Sequence, residues 1–584
     1  MVSVGSFPAV KEPFGGLSLF HRMKSSWLER GYAAFVIALV VRSTPFARSE
    51  SAHGFVATVH PVATEAAIAA FRNGGNAIDA AVAAALTLGV VDGHDSGIGG
   101  GCFMLIRLVD GTFVAIDGRE TAPAAATRDM FVRDGKAVAD LSLTGPLAAG
   151  MPGALAVYDY AERRYGKLSL KELLLPAARI AENGFALDRS YAVRLAASAK
   201  ELSMFEAARA AFLPDGRPKK AGEILRLPDL AKTYRSVATD GVDWFYRGPF
   251  ARATAAWMRR NGGLLKVEDF RNYRAKIRDP IVTTYRGCQI VGFPPPSSGG
   301  VHVAQILNIL ENFDLKSMGA NSADFVHVVT ESMKLAFADR AYWLGDPDFV
   351  KVPRGLASKE YAATLAKRID LHRATPVSQQ GTPPGAGEDI FNGHTTHFST
   401  ADTRGNWVAC TATVNTSFGC KVVVPGTGVV LNNQMDDFSA QPGATNYFGL
   451  VGAEANAIAP GKRPLSSMSP TIVLKDGKPI LSVGAAGGPT IISQTVLAII
   501  QTIDFGMDPA AALAQPRFHH QWKPDELVIE KSIGEQVLRE LEKRGHKLKL
   551  VDSLGAAQAV GIGAKDKGLT GAHDPRVDGK AAGW

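Results

Sequence analysis

The sequence predicts an α/β (α+β) protein in which a helix-rich part of the chain is followed by a strand-rich part. Residues from about 150 to 380 are mainly helical in pattern, as in SADFVHVVTESMKLAFADRAYWL from Ser322. Beyond residue 394, runs of apolar and β-branched residues separated by turn residues replace that pattern. Sixty glycines and 32 prolines supply the many tight turns that such a chain needs.

Length and composition exclude several classes of protein. At 584 residues the chain is longer than one ordinary domain of about 100 to 200 residues, so it forms several domains or one large core. A hydrophobic fraction of 46% is typical of a globular protein rather than a disordered or fibrous one. The formal charge of +8 is scattered along the chain without a long basic run, which argues against nucleic-acid binding.

The N-terminal segment 1–47 has the features of a secretory signal. Basic residues, among them Arg22 and Lys24, precede the apolar run GYAAFVIALVV. That run is shorter than the roughly 20 residues that cross a bilayer, but it fits the apolar region of a signal peptide. It predicts a periplasmic or secreted protein without a stable membrane anchor. The cleavage point near Ala47, the true start at Met1 or Met23, and a short buried helix as the alternative all stay open.

The elements that follow can be predicted in order. VATEAAIAAFRN is a helix stopped by Gly74 and Gly75, and Asn76 caps a second, alanine-rich helix, AIDAAVAAALTLGVV. SGIGGGCFMLI then leads into an apolar strand, and DGTFVAIDGRE is the returning strand of a hairpin, with Arg119 at its end. The segment 375–393 is rich in proline and glycine and is the best linker in the chain. After it, three strand-like runs follow: TTHFSTAD, NWVACTATVNTSF and KVVVPGTGVVLNN.

Several motifs are better explained by structure than by a cofactor. The glycines from Gly97 to Gly101 lack the spacing of a dinucleotide site, and backbone crowding explains them better. The pair His394 and His397 has the wrong spacing for a helical zinc site. We therefore predict no cofactor and no metal.

The cysteines do not form a recognisable framework either. There are only four, widely spaced, and none belongs to a CxxC pair, so buried thiols are favoured. A bridge between Cys410 and Cys420 stays open if the strands around them pair.

Thr395 is the candidate nucleophile. A Thr-Thr pair that opens a strand is ordinarily just β-forming sequence. Here, however, a linker precedes it, and cleavage of the bond after His394 would give Thr395 a free α-amine. Such an amine, with an ordinary pKa of about 7.7 to 8.0, can serve as the base that activates the threonine hydroxyl.

Ordered motifs across 54–576 give the chain a close resemblance to the gamma-glutamyltranspeptidases. TTHFSTAD, TATVNTSFG, GVVLNNQMDDFSAQPG, KRPLSSMSPTIV and GAAGGPTI resemble the small-subunit half, in order and spacing. GGGCFMLIR, IDGRETAPAAATRDMF, PPPSSGG and ADRAYWLGDPDF resemble the large-subunit half. The resemblance implies a four-layer αββα sandwich of the N-terminal nucleophile hydrolase type. It also implies autocleavage into a large subunit, 48–394, and a small subunit, 395–584.

The resemblance assigns roles to individual residues. Thr395 matches the nucleophile and processing residue, and Thr413 matches the second threonine, whose hydroxyl bonds to it. Arg119, Ser466 and Ser467 match the residues that hold the α-carboxylate of the glutamyl group. Arginine suits this role because its planar fork meets a carboxylate bidentately.

A second set of matches completes the implied site. Asn415, Gln434 and Asp437 match the side chains that hold the α-ammonium, and all three offer oxygen acceptors. Gly487 and Gly488 match the backbone N–H pair that stabilises the tetrahedral oxyanion. The implied function is transfer of the gamma-glutamyl group of glutathione and related amides to water or to amino acids and peptides.

Three departures from the family pattern and two rival functions stay open. Phe448 stands where many bacterial members have a lid tyrosine, Gly118 precedes Arg119 where an aromatic is common, and Ala485-Ala486 replaces Ser-Pro. The rivals are a glutaryl or cephalosporin acylase on the same fold and an unprocessed, non-catalytic binding protein. Acceptor preference, the balance of hydrolysis and transfer, and the oligomeric state are not readable from the sequence.

Overall fold

Two antiparallel β-sheets stack face to face at the centre of the protein, in a computed structural model that describes residues 53–384, 396–563 and 568–584. Aromatic and aliphatic side chains from both sheets, such as Phe103, Trp407 and Ile472, fill the space between them. In spatial order the seven strands of the first sheet are Lys580–Gly583, Gly54–Thr58, Thr396–Asp402, Trp407–Thr413, Gly101–Arg107, Phe113–Gly118 and Lys276–Arg278. The six strands of the second sheet are Leu569–His573, Ala556–Ile562, Lys478–Ala486, Thr471–Lys475, Cys288–Gly292 and Ile281–Tyr285.

Helices cover the outer face of each sheet. Pro61–Arg72, Ala77–Val91 and Ala154–Tyr165 pack on the first sheet, and Ser298–Leu310, Thr490–Ile503 and Pro509–Ala514 pack on the second. The result is the four-layer αββα sandwich that the sequence resemblance implies. The remaining helices are Ala139–Leu143, Leu170–Asn183, Arg189–Ser203, Glu206–Phe212, Pro228–Asp240, Asp243–Tyr246, Pro249–Asn261, Val267–Asn272, Leu315–Met318, Ala323–Trp343, Lys359–Ala366 and Glu535–Lys543.

Short elements complete the chain. Five 3-10 turns lie at Pro146–Ala148, Arg354–Ala357, Gln434–Asp437, Glu454–Asn456 and Lys531–Ile533. The minor strands are Val132–Arg133, Lys136–Ala137, Phe185–Ala186, Ile224–Leu225, Phe518–His519, Leu527–Glu530 and Leu548–Val551.

The early helices and the hairpin form as predicted. Asn76 caps the second helix by accepting hydrogen bonds from the N–H groups of Ile78 and Asp79, and the Asp79 carboxylate bonds back to the Asn76 N–H. This reciprocal capping box satisfies donors that a helix start leaves unpaired. The glycine cluster allows the close approach that was predicted, since a Cβ at Gly100 would lie 1.8 Å from the Thr413 carbonyl oxygen.

One prediction of secondary structure is wrong and another is incomplete. The run KVVVPGTGVVLNN forms no extended strand, because Gly426 and Gly428 take left-handed conformations and only the bridge between Val423 and Val430 pairs. Conversely, the strands Ile281–Tyr285 and Cys288–Gly292 lie inside the part predicted to be mainly helical. Both belong to the second sheet, where they pair with each other across the turn Arg286-Gly287, and Cys288–Gly292 also pairs with the distant strand Thr471–Lys475.

Of the other expectations, the structure decides the one about the cysteines and does not describe the N-terminal segment or the cleavage bond. All four cysteines are free and buried, so no Cys410–Cys420 bridge forms. The signal-like segment 1–47, the second half of the linker and the bond between His394 and Thr395 lie outside the described residues. Within 53–384, 396–563 and 568–584, no helix combines the length and the apolar character needed to cross a bilayer.

The parts before and after the predicted cleavage bond share both sheets. Strand Thr396–Asp402 pairs on one side with Gly54–Thr58, from the first part, and on the other with Trp407–Thr413, from the second. In the second sheet, Cys288–Gly292 pairs with Thr471–Lys475 in the same way. The proposed subunits are therefore halves of one folding unit rather than separate domains.

A buried histidine joins the two sheets. His397 contacts Thr411 and Ser399 through its two ring nitrogens, and Ser399 donates to the carbonyl of Ser482 in the second sheet. Gly484 allows this approach, since a Cβ there would lie 2.4 Å from the ring. Burial lowers the pKa of His397 to about 3, so the folded protein holds a neutral imidazole.

We predict that acid destabilises the fold in part through His397. The unfolded chain binds a proton near pH 6.5 and the folded chain only near 3, so this contribution is lost as pH falls below about 6.5. Between pH 7 and 5 the loss amounts to about 2 kcal/mol. Urea unfolding followed by circular dichroism should show a correspondingly smaller pH dependence for His397→Gln. An identical pH dependence in both proteins would contradict the assignment.

Candidate active site

The predicted nucleophile stands at the edge of the described structure. Thr395 itself lies outside the described residues, and the next residue, Thr396, is buried and begins the central strand Thr396–Asp402. Thr396 lines a cavity of about 370 Å³. Thr413, Gly487 and Gly488 line the same cavity, so the structure brings these predicted catalytic positions together.

Thr413 and Asn415 end the neighbouring strand. The Thr413 hydroxyl accepts a hydrogen bond of 2.7 Å from the Asn415 N–H. Asn415 has a φ of 80°, which turns the chain out of the sheet, and its side-chain N–H donates to the Asn433 carbonyl. The Asn415 Oδ1 atom is buried without a hydrogen-bond partner among the described residues.

The Gly487–Gly488 pair connects a strand of the second sheet with a helix. Both glycines have positive φ, 126° and 60°, and helix Thr490–Ile503 begins directly after them. Backbone N–H groups at a helix start favour negative charge. A Cβ at Gly488 would lie 2.6 Å from the ring of Phe448, so the glycine lets the lid segment 441–452 close against it.

Arg119 is held rigidly where its strand ends. Its N–H donates to Asp117, while Tyr273 and Arg463 both donate to its carbonyl oxygen at 2.8 Å. Gly118, where an aromatic is common in the family, is enclosed: a Cβ there would lie 2.3 Å from Val157. Packing against helix Ala154–Tyr165 therefore explains this departure.

The Arg119 guanidinium pairs directly with Asp437. Nη2 lies 2.5 Å from the Asp437 carboxylate, and Nε donates to the Pro464 carbonyl. The sequence analysis placed Arg119 and Asp437 in two separate clusters, whereas the structure joins them. Burial raises the pKa of Asp437, and Arg119 and Gln434 act against that rise. The Arg119 Nη1 atom is buried without a hydrogen-bond partner among the described residues.

Gln434, Ser466 and Ser467 surround this pair. The Gln434 side-chain N–H donates to Asp437 at 2.9 Å, and its Oε1 atom has no partner in the described parts of the chain. Ser466 and Ser467 follow Leu465, whose carbonyl also accepts from Arg119. The Ser467 hydroxyl, too, is buried and unpartnered within the described ranges.

Sequence reasoning missed two buried charged residues beside these groups. Arg340, in ADRAYWLGDPDF, donates to the Ser298 hydroxyl and to the Ser466 carbonyl, and burial lowers its pKa to about 10. Glu120 lies 3.6 Å from Arg119, and burial raises its pKa to about 8. The sequence gives no local signal for their burial, since Glu120 stands between Arg119 and Thr121, and Arg340 follows Asp339.

The lid segment 441–452 separates two cavities. Asn446 donates to Asp437 at 3.3 Å and borders a cavity of about 400 Å³, while Tyr447 and Phe448 border the cavity that contains Thr413. The Gln521 side chain donates to the Phe448 carbonyl. Phe448 therefore packs over Gly488 in a closed lid, without the tyrosine hydroxyl of many family members.

Comparison with known proteins decides the family. The family model described as Gamma-glutamyltranspeptidase matches residues 63–584. The chain belongs to the gamma-glutamyltranspeptidase family. Its N-terminal nucleophile hydrolase fold agrees with that membership.

Individual relatives cover nearly all of the chain. A glutathione hydrolase proenzyme of Escherichia coli is 46% identical over 535 residues, covering 91% of this chain and 92% of the relative. A glutathione hydrolase proenzyme of a Pseudomonas strain is 41% identical, covering 91% and 94%. Among solved structures, cephalosporin acylase from Bacillus halodurans superposes with a TM-score of 0.82 at 30% identity, covering 93% of this chain and 98% of that one.

We predict that Gly488→Ala opens the lid of this gamma-glutamyltranspeptidase family member. The new methyl group meets Phe448, so amide hydrogens within 441–452 should exchange faster by mass spectrometry. Gly506→Ala is the matched control, because Gly506 has a similar φ of 67° and open space around its Cβ position. Equal exchange of the lid in both variants would show that this contact does not hold it.

Proposed function

We propose that this chain is the precursor of a gamma-glutamyl acyltransferase and glutathione hydrolase. One observation carries the proposal: four unpartnered buried polar atoms are contributed by the predicted recognition residues. Two are donors, Arg119 Nη1 and the Ser467 hydroxyl, and two are acceptors, Asn415 Oδ1 and Gln434 Oε1. Buried polar groups normally have partners, so such a set indicates a ligand with complementary charges. An amino acid zwitterion supplies a carboxylate for the donors and an ammonium for the acceptors.

Maturation uses the hydroxyl of Thr395. Its oxygen attacks the carbonyl carbon of His394, the peptide C–N bond breaks, and an ester forms while the nitrogen takes up a proton. Water then hydrolyses the ester, leaving a carboxylate on His394 and a free amine on Thr395. The fixed strand that begins at Thr396 supports this step, because Thr396 pairs with Ala412 of the neighbouring strand and so holds the residue that follows the nucleophile.

Turnover repeats the same chemistry on the donor. The Thr395 amine takes the hydroxyl proton as the oxygen attacks the γ-carbonyl carbon of the gamma-glutamyl amide. The N–H groups of Gly487 and Gly488 stabilise the oxyanion, and the proton passes to the leaving amine. Water or an acceptor amine then attacks the glutamyl ester and restores the Thr395 hydroxyl.

Donor recognition uses the Arg119–Asp437 pair. Arg119, with Ser466 and Ser467, holds the donor α-carboxylate through the serine hydroxyls and Nη1, which lies 3.6 Å from Glu120 and makes no hydrogen bond in the described parts of the chain. Asp437, with Asn415 and Gln434, holds the α-ammonium. The donor zwitterion brings one charge of each sign to an ion pair that is already neutral overall, so no net charge is buried.

The other predictions from the sequence, on partners and localisation, complete the proposal. The partners are small gamma-glutamyl donors and amino acid or peptide acceptors, with the two subunits held together by shared sheets. Segment 1–47 directs export, so the mature enzyme is periplasmic or secreted. An acylase acting on glutaryl or cephalosporin substrates is the second candidate, because cephalosporin acylase shares the fold.

Thr395→Ala should remain a single uncut chain without activity, because one hydroxyl performs both processing and catalysis. Thr395→Ser keeps a hydroxyl and should mature slowly. Intact-mass measurement of the purified proteins distinguishes one chain from two. If Thr395→Ala is cleaved efficiently at the same bond, this mechanism is wrong.

Asp437→Ala should lower kcat/KM for gamma-glutamyl donors by roughly thirty-fold to several thousand-fold. This range corresponds to the 2 to 5 kcal/mol that loss of one partner of a buried charge pair costs. A glutaryl donor lacks the ammonium, so it should be poor with the wild-type enzyme and lose much less on mutation. Self-cleavage involves no donor and should persist.

The carboxylate of Asp436, next to Asp437 in the sequence, provides the control for Asp437→Ala. Asp436 bonds to Ser142 and to the Tyr447 N–H rather than to Arg119, so Asp436→Asn should discriminate between the two donors as the wild type does. If glutaryl and gamma-glutamyl donors react equally well with wild type, and both fall together in Asp437→Ala, the acylase is the better assignment.

A further inference from the structure

A second group of polar side chains lies on the wall of the same cavity. Asp92, His94 and Asp95 belong to the loop that follows helix Ala77–Val91. This loop is fixed to the strand end at Thr413, because Val414 donates to the Asp95 carbonyl and Phe418 to the His94 carbonyl. Asp92 and Asp95 line the cavity that also contains Gly487 and Gly488.

His94 is the unusual member of this group. Its side chain is only 2% exposed, and its Nε2 atom lies 3.5 Å from Asp92 Oδ1 and 3.7 Å from Asp95 Oδ2. Neither nitrogen makes a hydrogen bond of ordinary geometry to another described residue, and Nδ1 is wholly buried without a partner. Burial lowers the pKa of His94 to about 4, so the imidazole is neutral near pH 7. Nε2 faces the two carboxylates at distances beyond an ordinary hydrogen bond, which leaves room for a bound ion between them.

The charges around His94 leave this part of the cavity negative. The carboxylates of Asp92, Asp95 and Asp188 face it, and one guanidinium, that of Arg194, opposes them in the described parts of the chain. Arg194 lies 3.6 Å from Asp95 Oδ1 and donates to Ser417, so it approaches the side of Asp95 that faces away from His94. His60 is close to Asp188, but burial lowers its pKa as well. Burial raises the pKa of Asp92 and so works against a full charge there, but the carboxylates of Asp95 and Asp188 still exceed the one guanidinium.

The spacing of the three side chains fits a tetrahedral divalent ion. Asp92, His94 and Asp95 each offer one ligand atom, and the three atoms lie within 4.8 Å of one another. Ligand atoms about 2.1 Å from a tetrahedral zinc ion lie about 3.4 Å apart, close to the 3.5 Å and 3.7 Å separations here. We propose that Asp92, His94 and Asp95 bind Zn²⁺ at the cavity wall, with water as the fourth ligand. One imidazole and two carboxylates are a donor set that zinc accepts, and the ion offsets the excess negative charge of this part of the cavity.

A second cluster of metal-ligating side chains differs from the Asp92–His94–Asp95 cluster. His327, Glu331 and His546 also bring three metal-ligating atoms together. There, however, Glu331 bonds to Lys334 and to the Thr375 N–H, and His327 uses both nitrogens, on His546 and on the Asp370 carbonyl. Protein groups already satisfy that cluster, and Lys334 supplies its positive charge. We therefore assign zinc to the first cluster alone.

Zinc binding to the untagged, metal-stripped enzyme tests the proposal. Isothermal titration with Zn²⁺ should give one equivalent per chain in the wild type. Cobalt substitution should give the intense visible absorption of a tetrahedral site, and X-ray absorption should show only nitrogen and oxygen neighbours. A stoichiometry well below one, or sulfur among the ligands, would overturn the proposal.

Variants locate the site. His94→Gln and Asp95→Asn should each weaken the affinity for Zn²⁺ at least tenfold, while Asp578→Asn should not change it. Asp578 is a suitable control because its carboxylate lines the same cavity without belonging to the donor set. If one equivalent binds equally well to all three variants, the ion lies elsewhere and the proposal fails. Thermal melting of each variant checks that it is folded.

Discussion

The pairing of strand Thr396–Asp402 inside the first sheet is the constraint on which the rest of the structure depends. Its two neighbours come from opposite sides of the predicted cleavage bond, Gly54–Thr58 before it and Trp407–Thr413 after it. A chain cut before folding would have to assemble this strand between two separate pieces. The uncut precursor instead forms the sheet within one molecule, which avoids the entropy cost of association. The same pairing fixes Thr396 beside the cavity that Thr413, Gly487 and Gly488 line.

Around that fixed strand, the protein tolerates polar atoms that the fold does not satisfy. An unpaired buried donor or acceptor costs about 1 to 3 kcal/mol, and Arg119, Asn415, Gln434 and Ser467 each contribute one. At Arg119, hydrogen bonds with Asp117, Tyr273 and Arg463 hold the backbone and so fix the position from which its side chain extends. A bound zwitterion would recover this cost, which makes the binding of a matching donor favourable. Under this interpretation, specificity comes from donors and acceptors that are held in place without partners, rather than from the shape of the pocket.

The sequence predicts local features well and long-range ones poorly. Asn76 caps its helix as expected, since this signal lies within a few residues of the element that it starts. The strand Cys288–Gly292 was missed although it pairs locally with Ile281–Tyr285, and its pairing with the distant strand Thr471–Lys475 has no local signal. The site residues were named through the family resemblance, which assigns roles but not contacts. It therefore could not give the direct Arg119–Asp437 bond, the burial of Glu120 and Arg340, or the position of His94.

The central claim is that an ester on Thr395 carries the glutamyl group between donor and acceptor. Mass spectrometry of enzyme that is mixed with a gamma-glutamyl donor and quenched in acid within milliseconds tests this directly. The account predicts a chain beginning at Thr395 whose mass is increased by one glutamyl residue, with the adduct released by hydroxylamine and located at Thr395 by fragmentation. If the donor is consumed under conditions where acylation outruns deacylation and neither chain ever carries a glutamyl adduct, the account is contradicted.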